Sequence, residues 1–90
     1  MKIGVYKIGA PIYNIMQLRS GQTIIQHDNH FNRYYVYRII PLPKGYLKIR
    51  DRRIRYMVEV DENNPKHVFS NIKALWEWEL KFRPIFRAVR

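Results

Sequence analysis

His27, Asp28 and His30 come nearest to a chemical site in this sequence. Two imidazoles three positions apart beside a carboxylate could hold a metal ion, or share general acid and base duty in a nuclease. Such a site needs a third ligand, and His67 is the one remaining histidine. No recognised nuclease spacing surrounds these residues, so a polar loop that touches phosphate or water is the better account. The chain has no cysteine, which excludes disulfides, thiolate-bound zinc, iron–sulfur clusters and thiol catalysis together. Its four glycines stand alone at positions 4, 9, 21 and 45, so no glycine-rich loop cradles a phosphate. The expectation is a protein without catalytic residues, metal or cofactor.

Cations dominate instead. Lys44, Lys48, Arg50, Arg52, Arg53 and Arg55 crowd into twelve positions with Asp51 the one acid among them. Residues 33–40, RYYVYRII, interleave Arg33 and Arg38 with tyrosines, of which Tyr34 and Tyr37 are expected to stack on bases or reach the sugar backbone. Arg83, Arg87 and Arg90 add a third basic group with no acid between them. These thirteen residues are the candidate nucleic-acid contacts. A solvated charged face and a tyrosine strand packed on both sides are the plainer alternatives, but the core of so small a domain cannot hide seven tyrosines.

The balance of the whole chain agrees. Seventeen Lys and Arg against seven Asp and Glu give a net charge of +10 and a pI of about 10.2 in 90 residues, which implies a polyanionic partner. The acids are uneven: residues 59–79 hold Glu59, Asp61, Glu62, Glu77 and Glu79 against Lys66 and Lys73, a net −3. With 47% apolar and 14% aromatic residues the chain can fold, and its length allows one domain. Lys7, Arg33, Arg38 and Pro41 break every long apolar run, so no segment should cross a membrane as a helix. The first nineteen residues hold one arginine and a strand-like pattern, and read as part of the fold rather than as a transit peptide.

The elements that must position the cations follow from periodicity. Over residues 53–60, Ile54, Tyr56, Val58 and Val60 alternate with Arg53, Arg55, Met57 and Glu59, which predicts a strand with one buried face and guanidinium groups on the other. Leu47 and Ile49 alternate likewise, and Asp51-Arg52 fits a tight turn, so residues 44–60 are expected to form a basic hairpin. Further strands are predicted over residues 2–8, 23–26 and 33–40, with turns at 9–11, at 19–22 and in the polar stretch 27–30. Ile72, Leu75, Trp76 and Leu80 recur at spacings of three and four, predicting a helix over 71–82 with Trp78 off the apolar stripe. The resulting class is α+β: a small, mostly antiparallel β-sheet or barrel over residues 1–82 ending in one C-terminal α-helix, then a basic tail over 83–90.

Several short pieces, IGVYK at 3–7, Ser20-Gly21 before Ile24-Ile25, His30-Phe31, and Ile54-Arg55-Tyr56 ahead of Pro65, occur in an order that resembles the large-subunit ribosomal protein family L twenty-seven, particularly its mitochondrial members. The resemblance spans residues 3–65 and implies a small β domain packed on large-subunit ribosomal RNA. The family's glycine-rich central loop is replaced here by NRYYVYRIIPLPKG, and the family's N-terminal tail has no counterpart, so a place near the peptidyl transferase centre is not implied.

The function expected is that of a non-enzymatic RNA-binding structural protein, a component of a ribosome or other ribonucleoprotein, intracellular, with the mitochondrial large subunit as one setting. A small viral or phage DNA-binding or packaging protein would use the same cations. The third class is a basic subunit of a larger protein or membrane assembly, in which Trp78 and the tail meet protein or anionic lipid.

Overall fold

The computed structural model describes residues 2–41, 52–60, 72–82 and 86–89. Its strands are β1 (Lys2–Ile3), β2 (Tyr6–Pro11), β3 (Thr23–Asp28), β4 (Arg33–Ile40), β5 (Ile54–Glu59), β6 (Ile72–Trp76) and β7 (Phe86–Val89). They form an open sheet in the order β1-β2-β7-β3-β4-β5-β6, with every neighbouring pair antiparallel. Among the described residues there are also one 3-10 turn, Ile15–Gln17, and one short helix, α1 (Glu77–Phe82). The α+β class and the antiparallel sheet are as expected, and the sheet is not closed into a barrel.

Local sequence explains most of the strands. Gly4-Val5 joins β1 to β2 as a two-residue hairpin turn, with Gly4 at φ 56°, a conformation that costs glycine nothing. The turn expected at 19–22 is present: Gln22 N donates to the Arg19 carbonyl at 3.0 Å, and Gly21 has φ 89°. β4 matches its predicted range, and β3 runs two residues further, into Asp28.

Cross-strand register sorts the side chains. Ile24 pairs with Tyr37, Ile39 with Met57, Arg55 with Leu75 and Ile24 with Ala88, so these residues share one face. On it Ile24, Tyr37, Ile39, Met57, Leu75 and Phe86 are buried beneath Ile12, Ile15 and Leu18, and beneath Leu80 of α1. The covering segment from Ile12 to Leu18 dips into the core every third residue. Its 3-10 turn is fixed by Asn14 Oδ1, which accepts from Met16 N at 2.9 Å, while Gln17 Oε1 accepts from Asn14 N at 3.1 Å. The opposite face carries Ile25, Val36, Ile54, Tyr56 and Val58, which are also buried.

Several expectations need correction, the first being the strand over 2–8 with a turn at 9–11: the chain turns at Gly4-Val5 and β2 runs through Pro11. Residues 72–76 are strand, not helix: β6 pairs with β5 from Ile54↔Trp76 to Val58↔Ile72, and of the described residues in the expected helix only 77–82 are helical. The free edge of β5 outweighs the weak helical stripe, and strand geometry sends Leu75 to the core face and Ile72 and Trp76 to the other. Residues 86–89 are not a tail. As β7 they lie between β2 and β3, where Phe86, Ala88 and Val89 supply apolar contact. The hairpin over 44–60 lies partly outside the described residues, and of it the structure shows β5 and the turn residues Arg52 and Arg53. The neighbours of β5 are β4 along Tyr56–Glu59 and β6 along Ile54–Val58, which occupies both edges of the strand from 56 to 58. Lys44, Lys48 and Arg50 lie outside the described residues, as do Arg83, Arg90 and His67.

Candidate nucleic-acid interface

The register and the 19–22 turn together bring Arg19, Arg52, Arg53 and Arg55 to one end of the sheet. β3 starts there, β4 ends there, β5 starts there and β6 ends there, because Thr23 pairs with Arg38, Ile40 with Tyr56 and Ile54 with Trp76. Arg52 and Arg53 lead into β5 and are exposed. The 19–22 turn is fastened beside the end of β4 by Gly21 N to the Ile39 carbonyl at 2.7 Å and Ile39 N to the Gln22 carbonyl at 2.8 Å. This sets the exposed Arg19 at the same end. Sequence reasoning missed Arg19, and only the turn chemistry of Ser20-Gly21 could have hinted that it belongs with residues more than thirty positions away.

Arg55 is a correction. It stands on the face of Met57, which is only 4% exposed and part of the core, so it does not project from a wet outer face. The side chain is half-buried: one terminal nitrogen donates to the Ile54 carbonyl at 2.9 Å and the other lies 3.7 Å from Met16 Sδ. Its guanidinium thus closes the core at the arginine end and ties the 3-10 turn to β5.

An aromatic group joins this end. Glu77 N donates to the Arg53 carbonyl at 2.7 Å, which fixes the start of α1 against the arginine turn. Glu79 Oε1 reaches back toward Trp76 N at 3.4 Å, the returning half of a capping box. Leu80 is buried, and Trp78 lies about 200° round the helix from it, which leaves Trp78 61% exposed. Whether Trp78 faces core or partner was open in the sequence; it faces outward.

The other candidates separate. Tyr37 is 3% exposed and belongs to the core, so its ring offers no face to a base; Lys73 Nζ is 3.4 Å from its hydroxyl and 5.4 Å from the ring centre. Burial raises the Tyr37 pKa above the usual tyrosine value, while the Lys73 charge pulls the other way. Arg38 is half-buried on the second face beside Val58. Arg87 is exposed on β7 and its Nε donates to the Gly9 carbonyl at 3.1 Å. Arg33 and Tyr34 begin β4 at the far end of the sheet, Arg33 exposed and Tyr34 half-buried.

His27 and Asp28 cannot combine as drawn from the sequence. They are neighbours on one strand and so point to opposite faces. Asp28 Oδ1 accepts from the backbone N–H groups of His30 at 3.0 Å and Phe31 at 3.4 Å, so the carboxylate serves the turn. Among the described residues no three His, Asp or Glu side chains gather as metal ligands would, and no helix is long and apolar enough to cross a membrane. Comparison with protein-family models, curated proteins and solved structures found no match.

Proposed function

We propose that this chain is a non-enzymatic RNA-binding protein, a structural component of a ribosome or another ribonucleoprotein. The observation that carries the reading is the convergence of Arg19, Arg52 and Arg53 with the exposed ring of Trp78 at one end of a sheet whose chain bears a charge of +10. Guanidinium forks match phosphate oxygens two at a time, and an exposed indole gives a neighbouring base a surface to stack on. The order of short signatures between residues 3 and 65 supports the ribosomal form of this reading, with a mitochondrial ribosome as one setting.

The test is a salt titration of structured RNA, duplex DNA and anionic vesicles against the same protein. Three phosphate contacts at the arginine end give a log–log slope of about −2.1 on single strands and about −2.7 on duplex, and each further contact steepens it. Arg19→Ala with Arg52→Ala should reduce the slope by about 1.4 to 1.8. Both residues are exposed, so the thermal stability should change by no more than about 0.5 kcal/mol for each. Preference for duplex DNA or for vesicles would replace RNA by one of those partners. A flat salt dependence with intact affinity would remove the electrostatic account.

A further inference from the structure

The β3–β4 hairpin tip lies at the end of the sheet opposite Arg19 and Arg52, about 25 Å away along the eight residues of β4. Asp28 pairs with Arg33 and closes a four-residue loop whose shape is fixed from within. The Asp28 carboxylate holds the His30 and Phe31 amides, and Asn32 takes φ 49°, a left-handed value that asparagine tolerates. His27 Nε2 lies 3.4 Å from Asn32 Oδ1, and its ring stacks on Tyr34 with centroids 4.4 Å apart and planes 14° from parallel. This cross-strand stack braces the base of the loop.

On that base Phe31 stands 66% exposed, against 61% for Trp78 and 56% for Tyr13. Its contact with His30 is edge-on, with planes at 86° and centroids 4.7 Å apart. Whichever ring supplies the edge, at least one face of Phe31 stays uncovered. Arg33, two residues further along the chain, is exposed, and the tip's one carboxylate is engaged through Oδ1 by two backbone N–H groups. A flat apolar ring on a braced loop, with an exposed guanidinium two residues along and the one carboxylate bound to backbone amides, matches an unpaired nucleotide: the base stacks and the cation meets its phosphate.

We propose that the β3–β4 tip is a second RNA contact that receives one unpaired base on Phe31, with Arg33 against the adjoining phosphate. The inference rests on the RNA-binding reading above and narrows it, from any polyanion to an RNA with a bulged or looped nucleotide beside a paired stem.

The experiment compares a fully paired RNA stem with the same stem carrying one bulged 2-aminopurine. Wild-type protein should bind the bulged stem more tightly by roughly 5- to 150-fold, the range that one base–aromatic stack is worth, and should quench the 2-aminopurine fluorescence. Phe31→Leu keeps an apolar side chain but removes the π-face. It should abolish the preference and the quenching while leaving the salt slope on the paired stem unchanged, and Phe31→Trp should retain both. Thermal midpoints of the two variants show that they are folded. Equal wild-type affinity for the two RNAs, or a preference that survives Phe31→Leu, overturns the tip assignment while salt-dependent binding of the paired stem keeps the arginine end. Absence of salt-dependent binding to both RNAs overturns the two together.

Discussion

Tyr37 shows how a residue chosen for one chemistry can serve another. Its place in an arginine-flanked tyrosine run suggested base stacking, yet it packs among Ile24, Ile39 and Met57 with its hydroxyl near Lys73. Because burial raises its pKa in the folded state, the unfolded chain ionises first as pH climbs past about 10. The stability that this shift contributes is complete below that value and is lost as pH rises through the folded-state pKa. The thermal midpoint should therefore fall above pH ~10, and Tyr37→Phe should fall less steeply than wild type over the same window. Identical slopes for the two proteins would exclude Tyr37 as the source. Arg55 teaches the same lesson from the other side. Alternation over 53–60 correctly made Ile54 and Tyr56 buried, but Met57 is buried too, since both faces of β5 are covered. A two-residue period separates faces; it does not say which of them meets water, and so the position of Arg55 could not be read from it.

At the scale of elements, the sequence reads well where a strand carries its own pattern and poorly where its partner decides. β4 and β5 are β-branched and aromatic runs bounded by turn residues, and they are where expected. The segment Ile72–Trp76 satisfies helical and strand spacing almost equally, and the edge of β5 decides. Phe86–Val89 has four residues and one arginine, too little for any period, and its identity as a strand comes wholly from the gap between β2 and β3. Replacing Phe86 tests this directly. Phe86→Ala should cost about 3 to 5 kcal/mol in a denaturant titration, as for a buried aromatic, whereas Arg87→Ala, at an exposed position whose Nε donates to one carbonyl, should cost about 0.5 to 1.5 kcal/mol. A Phe86→Ala variant as stable as wild type would return these residues to the status of a dispensable tail. The arginine end has the same history: Arg52 and Arg53 were visible as a run, while Arg19 reaches them only through the hydrogen bonds between the 19–22 turn and β4.

Over the whole molecule, charge has a reach that depends on salt. The described residues extend 38 Å along the longest axis, against a screening length of about 8 Å at 0.15 M ionic strength and about 30 Å at 0.01 M. Lys7, exposed on β2, is separated from β5 by four strand spacings, about 19 Å along the sheet. At low salt every cation should attract RNA, and at physiological salt only those near the contact. Stopped-flow association should therefore be slowed by Lys7→Glu at about 0.01 M and hardly at about 0.15 M, whereas Arg52→Glu should slow it at both. Equal effects of the two substitutions at the higher salt would mean that the contact is not confined to the arginine end.

The position of β7 also bears on how the protein is made. Residues 86–89 join β2 to β3, so the sheet stays in two pieces until the last of the described strands has left the translating ribosome. Before then the facing edges of β2 and β3 present unpaired backbone groups, and the core lacks Phe86. Nascent chains stalled short of residue 86 would thus be natural clients for chaperones and proteases, because the two pieces of the sheet join only after β7 has been made.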